Sequence, residues 1–185
     1  MLEIVHAETQ DQYGQIRELM AEYIEWDSSQ VRQLGLDAQA LLDFYYGEGE
    51  EALPGEFAPP EGCLLLATDL ARAVGCCAFR RLSEETCEMK RMYVRPGFRG
   101  QGVARRLAER LIVTARDAGY DRMRLETTSF MQRAQALYSS LGFRTCEAYY
   151  TIPQSFRATT IFMELDLEVG MGAGPQASVL GGADA

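Results

Sequence analysis

A glycine-rich turn between a strand-like and a helix-like segment is the feature that most constrains the fold of this chain. The strand-like run covers residues 87–94, the turn reads RPGFRGQG over 95–102, and apolar residues then recur at helical spacing. Gly100 and Gly102 carry no Cβ atom, so a ligand can approach the backbone closely at both positions. The free N–H groups and the positive dipole of a helix start attract anions. The segment therefore predicts an anion-binding loop.

Apolar periodicity predicts the other elements. Thr9 and Asp11 are residue types that begin helices, while Gly119 and Gly142 are typical of helix ends. The predicted helices cover residues 10–28, 38–46, 101–118 and 130–141. The predicted strands cover residues 1–7, 63–67, 73–79, 87–94, 122–128, 143–150 and 159–167. This order of elements predicts one α/β layer structure built on a mixed sheet.

The length of 185 residues and the apolar content of 47% predict a single domain over residues 1–168. Residues 47–62 are dense in Gly, Pro and Glu, which predicts a solvated loop with little internal structure. Residues 169–185 are rich in Gly, Ala, Ser and Pro, so we expect a disordered C-terminal tail. Neither a leader peptide nor an apolar run long enough for a bilayer is apparent, so we expect a cytoplasmic protein without membrane contact.

Cysteine and histidine usage argues against several kinds of site. The five cysteines are odd in number and lack paired CxxC spacing, so we expect reduced, buried thiols. The single histidine, His6, has no metal-ligand partner at motif spacing. We therefore expect neither a metal cofactor nor a Ser-His-Asp triad.

The net charge of −9 is unevenly distributed. Residues 1–70 hold two basic and fifteen acidic side chains, whereas residues 71–185 hold sixteen basic and twelve acidic ones. Ten of the basic residues fall between Lys90 and Arg124, around the predicted anion loop. The basic part favours a polyanionic cofactor, and the acidic part favours a cationic or amine partner and repels nucleic acid. The alternative is that the acidic helices simply present solvated faces.

The loop and its surroundings resemble the GNAT superfamily of acyl-CoA-dependent N-acyltransferases over about residues 1–168. The family's pyrophosphate motif is Gln or Arg, two residues, Gly, one residue, then Gly or Ala, and Arg99, Gly102 and Ala104 match it. Ala134, Leu137, Tyr138, Gly142 and Phe143 follow at family-like distances. The resemblance implies an α+β fold with a mixed, mostly antiparallel sheet of six to seven strands, splayed in the middle and flanked by about four helices. A P-loop NTPase is disfavoured because the turn lacks a Gly-Lys-Ser/Thr ending.

The resemblance also implies acetyl-CoA as cosubstrate. Backbone groups near the end of the central strand would pair with the pantetheine arm, and amides of the loop would hold the pyrophosphate. The implied cofactor-binding residues are Met92, Tyr93, Val94, Arg99, Gly100, Gln101, Gly102, Val103, Ala104, Arg105 and Ala134.

Two residues are predicted to be catalytic. Tyr138 falls where many family members carry a tyrosine near the thioester sulfur, and its phenol could protonate the leaving thiolate. Glu88 lies six residues before Val94, where histone-acetylating members carry a general base. Period-2 alternation predicts that Glu88, Lys90, Met92 and Val94 share one strand face, which would direct the carboxylate into the notch. The alternatives are a core tyrosine at 138 and an ion pair between Glu88 and Lys90 or an arginine.

The acceptor site depends on the least transferable parts of the family fold. Aromatic residues of the first two helices and the last hairpin suit a hydrophobic or peptide amine, and the predicted substrate-binding residues are Trp26, Tyr45, Tyr149 and Tyr150. The helical aromatics could instead belong to the core. Met131 stands where many members carry a cofactor-contacting asparagine, and Thr127 or Thr128 could replace its polar role.

The leading hypothesis is an N-acetyltransferase that moves an acetyl group from acetyl-CoA to a primary amine by direct attack in a ternary complex. The acceptor would be a small molecule or a peptide, and the protein a monomer or homodimer. The alternative is a non-catalytic acyl-CoA-binding regulatory module, which keeps the loop and lacks a productive acceptor pocket.

Overall fold

The computed structural model describes residues 1–46 and 53–167, so the tail predicted over 169–185 lies outside the described residues. Four helices are present in the described part of the chain: α1 (Gln10–Gln33), α2 (Ala38–Tyr45), α3 (Val103–Asp117) and α4 (Gln132–Ser140). The strands are β1 (Leu2–His6), β2 (Cys63–Asp69), β3 (Arg72–Arg81), β4 (Thr86–Val94), β5 (Arg122–Thr128), β6 (Arg144–Thr145) and β7 (Thr160–Asp166).

The seven strands form one mixed sheet in the order β1-β2-β3-β4-β5-β7-β6. All neighbouring strands run antiparallel except β4 and β5, which pair in parallel. The parallel pairing extends only from Thr86 opposite Arg122 to Glu88 opposite Arg124, after which the two strands separate. The mixed, mostly antiparallel sheet that opens in the middle is therefore confirmed.

Helices cover both faces of the sheet. The predicted N-cap Thr9 is confirmed, because it forms a capping box with Gln12 at the start of α1. Ile16 and Leu19 of α1 are fully buried against one face. On the opposite face Leu107 and Leu111 of α3 are fully buried as well. Full burial of one leucine side chain contributes about 1.5–3 kcal/mol, so these stripes fix α1 and α3 on the sheet.

The predicted common face of Glu88, Lys90, Met92 and Val94 is wrong. Ala78 of β3 pairs with Lys90, whereas Cys76 pairs with Tyr93, so β4 carries one extra residue between these pairs. Arg91 takes a positive φ of 58° at this bulge. An extra residue exchanges the two faces of a strand, and Val94 consequently packs in the α3 core.

Two further predictions about the loops need correction. Residues 47–52 of the predicted loop over 47–62 lie outside the described residues. The rest is not wholly solvated, because Phe57 ends a short 3-10 turn, is buried, and lies beneath the Arg91 guanidinium at 5.0 Å. Strand β6 covers only Arg144–Thr145 rather than 143–150. Tyr149 and Tyr150 therefore lie in an irregular segment that follows β6 in the chain.

Candidate active site

A cavity of about 150 Å³ lies where β4 and β5 separate. Helices α1 and α2 line it from one side and α4 lines it from the other. The separation of two central strands leaves backbone and side chains of both strands facing the same space, which explains why the cavity forms here. Its lining residues include Met20, Tyr23, Asp27, Leu41, Tyr45, Tyr46, Met89, Lys90, Arg91, Met92, Leu125, Glu126, Thr127, Thr128, Met131, Ala134, Tyr138 and Thr160.

The turn before α3 has the backbone geometry of an anion site. Gly100 and Gly102 have φ values of +77° and +79°, a region that side-chain-bearing residues seldom adopt. In the described part of the chain, no backbone carbonyl accepts a hydrogen bond from the N–H groups of residues 100–105. The Gln101 side chain donates to the Gly97 carbonyl at 2.9 Å and closes the turn. These free amides fit the pyrophosphate of coenzyme A.

The Arg99 side chain lies between the turn and α1. Its Nε donates to the Val94 carbonyl at 2.9 Å, and its guanidinium lies 5.8 Å from the ring centres of Trp26 and Tyr93. Trp26 was predicted to bind the acceptor, but it is not among the residues that line the cavity. It lies instead beside Arg99 of the anion loop. Arg105, at the start of α3, donates to Ser140 of α4 at 2.6 Å.

Tyr138 lines the cavity from α4 and is only 6% exposed. Burial raises the pKa of its phenol well above the ordinary value. Its hydroxyl has no hydrogen-bond partner among the described residues. Met131 also lines the cavity and accepts a weak contact from the Thr127 hydroxyl at 3.8 Å. The Thr128 hydroxyl is buried there without a described partner.

Glu88 is 0% exposed and forms the buried ion pair that the sequence offered as an alternative. Its Oε2 lies 2.7 Å from Arg80 Nη2, and Arg80 also contacts Glu56. The Tyr149 hydroxyl donates to Oε1 at 2.8 Å. Glu88 is not among the residues that line the cavity, so its role as general base stays a prediction that would need a route through another group.

Two carboxylates that the sequence reasoning did not select do line the cavity. Glu126 of β5 is paired with Lys90 at 2.9 Å and also accepts a hydrogen bond from the Tyr150 hydroxyl. Asp27 of α1 accepts a hydrogen bond from the Tyr46 hydroxyl at 3.1 Å. Asp27 lies in a helix segment rich in aromatic residues, and a charge at such a position was the signal available in the sequence.

Burial raises the pKa of the Asp27 carboxyl from 3.8 to about 6. The Tyr46 hydrogen bond acts in the opposite direction, and the negative charge of Glu126 raises the pKa further. Asp27 is therefore charged at neutral pH and takes up a proton in mildly acidic solution.

The remaining predicted acceptor residues are divided between two places. Tyr45 lines the cavity and packs edge-on against Phe156. Tyr149 and Tyr150 contact each other edge-on and, with Phe162 of β7, line a second depression. Tyr150 reaches the first cavity only through its hydrogen bond to Glu126.

All five cysteines are free thiols, and Cys63, Cys76, Cys77 and Cys87 are buried. Burial raises the pKa of Cys63, Cys76 and Cys87 to about 12. Within residues 1–46 and 53–167, His, Cys, Asp and Glu side chains form no group of three that could hold a metal ion. The helices of that same part include none with the length and apolarity needed to cross a bilayer.

An opened mixed sheet, an anion loop and a buried tyrosine beside one cavity define an acyl-CoA-dependent transferase. The sequence pattern of the acetyltransferase (GNAT) family matches residues 24–143. The chain belongs to this family, and it is an acetyl-CoA-dependent acyltransferase.

Relatives in other organisms agree with this assignment. An uncharacterised N-acetyltransferase of Schizosaccharomyces pombe is 34% identical over 140 residues, 74% of this chain and 82% of the relative. The N-acetylaspartate synthetase of Rattus norvegicus is 38% identical over 98 residues, which cover 51% of this chain and 33% of that protein.

Solved structures share the fold. A GNAT-family acetyltransferase from Staphylococcus aureus Mu50 has a TM-score of 0.68 and 21% identity, covering 91% of this chain and 100% of its own. A putative acetyltransferase from Salmonella typhimurium, solved with its cofactor acetyl-CoA, has a TM-score of 0.61 and 23% identity, covering 95% and 98%.

Proposed function

We propose that this enzyme transfers the acetyl group of acetyl-CoA to a small primary amine by direct attack, with both substrates bound together. The cavity between β4 and β5 carries the proposal, because it joins Tyr138 and Ala134 on one side to Asp27 and Tyr45 on the other. A donor held by the anion loop and an amine entering between α1 and α2 would meet there. A volume of about 150 Å³ suits a small acceptor.

The chain's own groups would hold the donor mainly through backbone. Amides of residues 100–105 would bind the pyrophosphate, because they are free at the start of α3. Backbone groups of Met92 and Val94 would pair with the pantetheine arm, as the family resemblance implies. Acetyl-CoA supplies an activated thioester when bound.

Tyr138 would give its proton to the departing thiolate. Its raised pKa keeps the phenol protonated at neutral pH, and its hydroxyl has no described partner that would compete for that proton. Direct attack is favoured over an acyl-enzyme because no cysteine lines the cavity within the described residues. Three of the buried thiols also have pKa values of about 12, which leaves almost no nucleophilic thiolate at neutral pH.

The acceptor amine must lose a proton before it attacks. Glu88 was predicted to take this proton, and the hydroxyl of Tyr149 is the group through which it would have to act. Asp27 and Glu126 face the cavity directly. Because a relative is an N-acetylaspartate synthetase, we propose amino acids, aspartate included, among the acceptors to be tested first.

The test is release of coenzyme A thiol from acetyl-CoA with a panel of amines: aspartate, alanine, spermidine, tyramine and an alanine-initiated tripeptide. We expect release well above background hydrolysis with at least one amine. Tyr138→Phe should lower kcat by about 100-fold with little change in the KM for acetyl-CoA. Tyr120→Phe is the matched control, because Tyr120 is equally buried and donates to the Glu61 carbonyl outside the cavity.

If the protein binds coenzyme A but releases no thiol from acetyl-CoA with any amine, the result would favour the alternative of a regulatory module. Unchanged kcat in Tyr138→Phe with a verified acceptor would contradict the assigned proton donor.

A further inference from the structure

Asp27 is a buried carboxyl that faces the cavity with one oxygen unpaired. It is 5% exposed, and Tyr46 donates to its Oδ2 at 3.1 Å. Its Oδ1 is buried and has no hydrogen-bond partner in the described part of the chain. Buried carboxylate oxygens are nearly always paired because desolvation without a partner is costly. An unpaired oxygen on a side chain that lines the cavity therefore indicates a partner that arrives with the substrate.

The charges around the cavity indicate the sign of that partner. Lys90 Nζ lies 2.9 Å from Glu126 Oε1 and balances its charge. Asp27 instead accepts a hydrogen bond from the uncharged hydroxyl of Tyr46. The negative charge of Glu126 acts on Asp27 as well. The titratable groups that face the same cavity are Tyr23 of α1, Tyr45 and Tyr46 at the end of α2, Lys90 and Arg91 of β4, Glu126 of β5 and Tyr138 of α4.

We propose that Asp27 binds the ammonium group of the acceptor and removes its proton. This inference rests on the proposed function and assigns its proton acceptor. An ammonium suits the site because its N–H groups satisfy Oδ1 and its charge balances the carboxylate. Tyr23, Tyr45 and Tyr46 line the same cavity, and aromatic rings also attract cations.

The carboxylate of Asp27 takes one proton from the ammonium, directly or through one water, and leaves a neutral amine. The nitrogen lone pair forms a bond to the thioester carbon, and the C–S bond breaks as the sulfur takes the proton of Tyr138. The new amide nitrogen then gives its surplus proton to the Tyr138 phenolate, and Asp27 releases its proton to solvent.

Glu88 is less suited to this role. Both of its carboxylate oxygens are already paired, one with Arg80 at 2.7 Å and the other with the Tyr149 hydroxyl at 2.8 Å. Glu88 is also not among the residues that line the cavity. We infer that Glu88 acts as a positioning residue, because it fixes Tyr149, which packs against Tyr150. Asp27 has neither a cation nor a second donor among its described contacts.

The experiment compares kcat/KM for acetyl transfer in the full chain and in Asp27→Asn as a function of pH. The wild type should lose activity below about pH 6 and reach a plateau above it, because only the carboxylate accepts a proton. Asp27→Asn should be about 100-fold slower at pH 7.5 with a strongly basic amine. It should recover with 2,2,2-trifluoroethylamine, which is already neutral at that pH and needs no base.

Glu25→Gln is the matched control, because it removes an exposed acid from the same turn of α1. It should behave as the wild type does. The inference would be overturned if Asp27→Asn still lost activity below about pH 6, or if the variant were impaired equally with both amines. Glu88→Gln should not recover selectively with the neutral amine. Such recovery would instead assign removal of the ammonium proton to Glu88.

A second arm separates failure of this inference from failure of the proposed function. Millimolar n-butylammonium, added with coenzyme A, should raise the Tm of the wild type and of Glu25→Gln, but not that of Asp27→Asn. If the wild type acetylates no amine, the proposed function fails, while this measurement still decides the binding role. Equal Tm increases in all three proteins would refute ammonium binding at Asp27.

Discussion

Replacing Asp27 with asparagine should change how stability depends on pH. The carboxyl has a pKa of about 6 in the folded protein and an ordinary value of 3.8 when exposed. Between these values the folded state binds more protons than the unfolded state, so the contribution of this group to stability falls as pH rises. Asparagine does not titrate and still offers an oxygen to the Tyr46 hydroxyl. The stability of the variant therefore should not fall with rising pH through titration at position 27.

The magnitude follows from the two pKa values. A rise from 3.8 to about 6 corresponds to about 3 kcal/mol of folding free energy over the whole titration. Between about pH 5 and about pH 7 the same linkage relation gives a loss of roughly 1.3 kcal/mol in the free energy of unfolding, because the rest of the loss occurs below about pH 5. The 5% exposure of Asp27 means that solvent screening reduces this figure little.

The assay is urea unfolding of the wild type and Asp27→Asn at several values of pH from 5 to 7.5. The free energy of unfolding of the variant minus that of the wild type should increase with pH, because other titrating groups cancel in the difference. Glu25→Gln should show no comparable trend. A difference that stays constant across this range would refute the reasoning that Asp27 is buried with an uncompensated charge.

Three other substitutions test the fold and the site. Leu111→Ala empties a fully buried position on α3 and should cost about 2–5 kcal/mol in urea unfolding, whereas Val113→Ala on the exposed face should cost far less. Gly102→Ala forces a side chain into a φ of +79° and should cost about 1–2 kcal/mol, with weaker coenzyme A binding by calorimetry; an unchanged Kd would contradict the anion loop. Glu88→Gln breaks the buried pair with Arg80 and should lower stability by about 3 kcal/mol, and an unchanged midpoint would show that the pair contributes little.

The sequence alone determined most of the helices and strands and indicated the anion loop. Helix α3 and strand β5 could be predicted because their apolar residues repeat at the periods of a helix and a strand. The positive φ values at Gly100 and Gly102 follow from residue type and from the position before a helix. Local rules suffice for such features because the interactions that form them lie within a few residues.

Only the tertiary structure decided which carboxylate faces the cavity. The bulge at Arg91 exchanges the faces of β4, and no local pattern in the strand announces an extra residue. Glu88 is engaged by Arg80 of β3, eight residues away, and by Tyr149, 61 residues away. Asp27 reaches the cavity because α1 and α2 meet over the opening between β4 and β5. These contacts depend on strand pairing and helix packing, which had to be known before the acceptor side could be described.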